Sequence, residues 1–113
     1  MPIDLERFCN FKDAEFRSLE VISPLHVKLS LAVQDKSRDF DWITLELDFT
    51  GVTDARLIEE KKLKYIDMSE GVSLFHVDQK FAFGIGACYN IQAIKNATLY
   101  IIFNDLKYKE RQF

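Results

Sequence analysis

The sequence predicts a mainly β domain, either an antiparallel β-sandwich or a strongly curved sheet of about seven strands, with short N-terminal helical turns. Three observations carry this. Leu25, Val27, Leu29, Leu31 and Val33 alternate with His26, Lys28, Ser30 and Ala32, and Ile43, Leu45, Leu47 and Phe49 alternate with Trp42, Thr44, Glu46 and Asp48. Such a period of two places one apolar and one polar face on an extended chain. The composition agrees: 48% of residues are hydrophobic and 13% aromatic, whereas four Gly and two Pro are too few for a linker-rich chain. Turn signals also recur at the spacing of an all-β domain, about every 8 to 12 residues. At 113 residues the chain has the size of a single domain, spanning 1–113, and no repeat or low-complexity tract divides it.

Taken in order, residues 3–16 are the place for helical turns, one capped by Asp4 and another by Asp13 ahead of Ala14, Glu15 and Phe16. Pro24 ends that region, because proline disfavours the α conformation in Ser23. Residues 25–33 and 39–49 then form an antiparallel hairpin across the polar segment 34–39, and Thr50-Gly51 closes the second strand. Residues 54–58 are a short third strand. The mixed charges of 59–64 suit a solvated loop or helical turn. Residues 72–78 pair with 80–86 across a tight turn near Gln79, and Gly84 and Gly86 mark a bulge, a bend or a close approach. Residues 88–94 and 97–105 are expected to form a further hairpin, whose second strand, apolar on both faces, would be central and covered. Residues 106–110 read as a lysine-protected edge.

Fifteen Lys plus Arg against eighteen Asp plus Glu give a formal charge of -3. That balance argues against general nucleic-acid binding, which depends on neutralising phosphates. No apolar run approaches the ~20 residues of a membrane-spanning helix, and the first residues lack the apolar core of a secretion signal. We therefore expect a soluble, cytoplasmic protein without nucleic-acid or membrane partners. Cys9 and Cys88 are expected to be reduced, buried thiols.

Chemistry-bearing residues are sparse. His26, His76, Cys9 and Cys88 lack metal-ligand spacing, so neither a metal nor a cofactor is expected. Cys88 and His76 form a nucleophile-and-base pair only if the fold brings them together, which defines an alternative reading: a small-molecule-binding or enzymatic domain with a pocket near both and near Gly84 and Gly86. Carboxylate pairs at Asp39/Asp41, Glu46/Asp48 and Glu59/Glu60 carry no catalytic signature without a desolvated site to raise a pKa. The main reading is non-enzymatic. Five acids and no Lys or Arg lie between Asp39 and Ala55. Asp39, Asp41, Trp42, Glu46 and Asp48 would then form an acidic face with an aromatic anchor, suited to a basic protein partner. A third route to a partner, assembly through the edge at Leu106 to Glu110, is disfavoured by Lys107, Lys109 and Arg111.

The segments FKDAEFRSLEV, HVKLSLAV, WITLELDFTGVTDARL and TLYIIFNDLKY together resemble the small acidic immunity proteins of bacterial contact-dependent growth inhibition and other polymorphic-toxin systems. The resemblance implies a β-rich cytoplasmic protein that binds and neutralises a cognate toxin domain, often a nuclease. It would act as a monomer in the complex, its free oligomeric state being left open. Nuclease clefts are basic because they hold phosphates, so an acidic face can occupy one by imitating that charge. No binding residue transfers by position, and the five residues above rest on the charge argument alone.

Overall fold

The structure, a computed structural model, describes residues 2–112. Eight strands form two antiparallel sheets of four, so the sandwich class holds with eight strands in place of about seven. The first sheet has the order β1-β2-β3-β8, from Glu15–Ser23, His26–Asp35, Asp41–Thr50 and Asp105–Gln112. The second has the order β4-β7-β6-β5, from Asp54–Arg56, Tyr100–Phe103, Lys80–Ile85 and Val72–Val77.

The two alternating segments pair along their whole length, from His26 opposite Thr50 to Asp35 opposite Asp41. Their shared parity buries Val27, Leu29, Leu31, Val33, Ile43, Leu45, Leu47 and Phe49 against the other sheet. At the centre Phe49 meets Phe83 and Phe103 with ring centroids 5.2 and 4.9 Å apart. The tilted and edge-on geometry is the one that aromatic quadrupoles favour.

The sheets are continuous at one corner, where β3 runs into β4 and β7 runs into β8. There the Asn104 N–H donates to the Thr50 carbonyl and the Thr53 N–H donates to the Ile102 carbonyl. One long strand pair thus bends from one layer into the other, combining the sandwich and the curved sheet.

Two expected elements differ. The N-terminal region makes a 3-10 turn at Glu6–Phe11, but Asp13 starts no helix, and Glu15 instead opens β1. This strand hides from pattern reading because its register with β2 shifts between Phe16 and Ser18 and again between Val21 and Ser23. A bulge reverses the parity that alternation relies on. Residues 88–94 contain a short helix, α1, at Ile91–Lys95, and not a strand. The Asn90 side chain caps it by accepting the Ala93 N–H at 2.8 Å, which outweighs the apolar run as a local signal. Ile94 then seats on the outer face of the second sheet above Gly84. A Cβ on Gly84 would lie 2.7 Å from the Ile94 Cδ1, so this glycine makes room for a helix. The covered strand at Tyr100–Phe103 and the basic edge strand β8 are as expected.

Candidate functional site

Asp39 and Phe40 lie exposed on the short connection between β2 and β3, and Asp41 and Trp42 lie exposed on the first two residues of β3. The connection is built from Asp35 outward. Along β2 the inward parity runs Leu29, Leu31, Val33, Asp35, so the last inward side chain is a carboxylate, and it is wholly buried. Arg7 answers it with a bidentate contact, Nε to Oδ1 at 3.0 Å and Nη2 to Oδ2 at 2.8 Å. The same guanidinium donates to both carboxylate oxygens of Glu110 on β8, at 3.1 and 2.9 Å. Arg38 bridges the same two acids, reaching Asp35 at 3.1 Å and Glu110 at 3.0 Å.

These hydrogen bonds, those from Arg7 above all, hold the Asp35 carboxyl well below the ordinary carboxylate range against the opposing effect of its burial. Asp35 also accepts the Ser37 N–H at 2.9 Å and the Ser37 hydroxyl at 2.7 Å, capping a 3-10 turn at Lys36–Arg38. The Asp35 carbonyl accepts the Phe40 N–H at 2.9 Å, and the Gln34 side chain donates to the Phe40 carbonyl at 3.3 Å. A charge cluster spanning the N-terminal segment, β2 and β8 therefore fixes the base of this turn.

The turn it fixes is strained. Asp39 and Phe40 both occupy the left-handed region, at φ 55° and 64°. Asp visits that region at modest cost, but for a bulky side chain it costs about 1–2 kcal/mol. Phe40 is also 52% exposed, and Trp42, two residues on, is 39% exposed. Two aromatics flanked by two exposed acids thus stand on a rigid base at one end of the first sheet.

Glu46 and Asp48, further along β3, do not lie free as the sequence window suggests. Glu46 is only 17% exposed and is paired with Lys28 at 3.6 Å and with Arg111. The Asp48 carboxylate meets His26 Nε2 at 2.8 Å, and Lys107 is its cross-strand neighbour on β8. The stretch without Lys or Arg is real in sequence, but β8 brings Lys107, Lys109 and Arg111 alongside it in space. The outer face of the first sheet is therefore a ladder of mixed charge. Of the five expected contact residues, the fold gathers Asp39, Asp41 and Trp42 at the turn and assigns Glu46 and Asp48 to the ladder.

Cys88 and His76 are not brought together. Cys88 belongs with Phe75, Val77 and Ile91 on the outer face of the second sheet. Its N–H donates to the Ser73 hydroxyl at 2.8 Å. The His76 ring instead stacks on Phe81, which packs into the inter-sheet core, with centroids 4.3 Å apart. A sheet separates the two side chains, and burial pushes the Cys88 thiol up, opposite to what a nucleophile needs. Both cysteines are free and half-buried, not fully buried as expected. An open groove of about 810 Å³ lies elsewhere, between α1 and the second sheet, over Val77, Ile91 and Ile102, with Asp54 and Lys95 paired across it at 3.6 Å.

Among the described residues no group of three or more His, Cys, Asp or Glu is placed to hold a metal ion, and no helix is long and apolar enough to cross a membrane. Comparison with known protein families, curated proteins and solved structures gives no match.

Phe40 and the Arg7–Asp35–Glu110 cluster were missed in the sequence. A signal existed for one of them: Asp35 breaks an apolar parity, and a charge on the inward side of a strand requires an internal partner. No comparable signal marks Phe40, whose importance lies in its backbone angle.

Proposed function

We propose that this protein is an immunity-type inhibitor that binds a cognate toxin domain and occludes its basic cleft with the turn Asp39–Trp42. The observation that carries the reading is Phe40, a bulky aromatic held exposed and left-handed between two acids by a charge cluster built on the buried Asp35. Phe11 holds a similar angle, at φ 59°, but is wholly buried, so the fold rewards its side chain; at Phe40 the angle comes with exposure, a cost that a partner contact would offset. Aromatic anchors ringed by charge are the usual energetic centre of a protein interface. Asp39 and Asp41 supply steering toward a cationic surface, and Phe40 and Trp42 supply buried area. Glu46, ion-paired with Lys28 and Arg111, and Asp48, in contact with His26, hold β3 against its neighbours. The family resemblance supplies the class of partner, a toxin domain with a phosphate-binding cleft, and the reaction it performs would be nuclease cleavage.

The test is co-production with any toxin-like domain found encoded beside its gene. The chain should restore growth, Phe40→Ala and Trp42→Ala should each abolish most of the protection, and Asp39→Lys/Asp41→Lys should slow association. Glu46→Gln/Asp48→Asn should protect like the parent. Full protection by the Phe40→Ala/Trp42→Ala protein would overturn the reading.

A further inference from the structure

Residues 3–14 form a strap whose 3-10 turn, Glu6–Phe11, packs against β2, the β5 edge and the turn Lys36–Arg38. Its main-chain ties to the rest of the fold are few. The Phe8 and Asn10 N–H groups donate to the Leu5 carbonyl, Lys12 donates to Cys9 and Ala14 to Phe11, all within the strap. Among the described residues, only its Asp13 N–H reaches another element, donating to the Met68 carbonyl at 2.8 Å. A strand of either sheet is held instead by a whole ladder. Side chains supply the rest of the hold: Phe8 and Phe11 are wholly buried, and Arg7 grips Asp35 and Glu110.

Two features work against the closed strap. Cys9, Asn10, Phe11 and Asp13 all occupy the left-handed region, at φ 58°, 54°, 59° and 59°. Asn and Asp visit that region readily, but Cys9 and Phe11 do so at a cost that the buried phenyl groups must offset. Contact with β5 is also incomplete. An open groove of about 440 Å³, lined by Ile3, Asp4, Leu5, Asn10 and Leu74, lies between the strap and that strand. Close approach is concentrated at Gly71, where an added Cβ would collide with the Asn10 carbonyl oxygen. Elements with few main-chain ties and stored backbone strain are the ones that open locally while the remainder stays folded.

We propose that the strap opens as one unit from an otherwise intact sandwich, and that Arg7 makes the β2–β3 turn loosen with it. When the strap lifts, Arg7 leaves Asp35, the carboxylate that caps Lys36–Arg38 by accepting the Ser37 N–H and hydroxyl. Arg38, itself half-exposed, keeps one bond to Asp35 and one to Glu110. That is too little to hold a buried charge, so Asp35 moves toward water and the base of the turn moves with it. The coupling is reciprocal: whatever holds Asp39–Trp42 in place also holds the strap shut. The turn's worth as a contact surface rests on the toxin-binding reading, whereas strap opening is a property of the free chain.

Amide exchange of the free, full chain, followed along a urea gradient below the unfolding transition, tests this without a partner. Asn10, Lys12 and Asp13 should be less protected than Leu29 and Leu31, at the centre of β2, by about tenfold or more. Ser37 and Phe40 should share the strap's protection and its dependence on urea. Gly71→Ala presses on the strap at Asn10 and Lys12, away from the turn, and should lower protection at Ser37 and Phe40 as much as in the strap. Strap protection within about tenfold of that of Leu29 and Leu31 would overturn the proposal, because the strap would then open only with the whole fold. Turn amides whose protection or urea dependence differs from the strap's, or that ignore Gly71→Ala, would overturn it too. If that variant fails to fold, the comparison within the wild-type chain decides.

Discussion

Asp35 and Asp41 sit directly opposite one another across the β2–β3 pair, yet their environments have almost nothing in common. Asp35 is wholly buried and engaged by two arginines and a serine, whereas Asp41 is exposed beside Trp42. Register does not explain the divide, since directly paired residues project to the same face; surroundings do, for Asp35 is enclosed by Arg7, Arg38 and Ser37, whereas Asp41 lies at the exposed start of β3. Net charge counts the two alike, but one is committed to the fold and the other is available to a partner.

Disrupting the buried side should have the largest effect. Arg7→Ala leaves Asp35 and Glu110 with the half-exposed Arg38 in place of two shared guanidiniums, and should lower unfolding free energy by about 3 kcal/mol in urea titration. Arg7→Lys should recover only part of this, since an ammonium cannot serve two carboxylates bidentately.

Acid should act on the buried aspartate next. The folded pKa of Asp35 is depressed, so its contribution to stability is fully present above the unfolded value of about 3.9 and is lost as pH falls toward the folded value. Wild-type protein should lose stability steeply below about pH 4. Asp35→Asn, already destabilised at neutral pH, should show a visibly flatter acid limb.

On the exposed side the sign reverses. Phe40→Gly should raise stability by up to about 1 kcal/mol by relieving the left-handed strain, while weakening toxin neutralisation. A loss of stability there would mean that Phe40 packs as part of the fold and is not held out for a partner. Asp39→Asn and Asp41→Asn mark the small end, with stability within about 0.5 kcal/mol of wild type by thermal or urea unfolding.

What could be read in the sequence follows the same divide. The β2–β3 pair was legible because burial on one face imposes a period of two over an uninterrupted register, and the β5–β6 pair because two apolar runs flank a tight turn. β1 was not, because bulges after Phe16 and Val21 interrupt that period, and α1 was not, because its five residues are too few for a helical period and its clearest mark was the Asn90 cap. At the site, Asp39, Asp41 and Trp42 were found because exposure at a turn is a local property. The pairing of Glu46 and Asp48 depends on Lys28, His26 and the distant strand β8, and nothing within their own window announces it.

The placement of β8 has a further consequence for biogenesis. Ile43 pairs with Gln112 and Thr50 with Asp105, so the first sheet cannot be completed until β8, made well after β1, β2 and β3, has left the ribosome. Until then β3 exposes a long, open hydrogen-bonding margin, and Glu110 is missing from the cluster that shapes the β2–β3 turn. Synthesis order thus delays maturation of the turn until β8 is present, and a nascent chain stalled before residue 105 should be both sticky and unable to engage a partner.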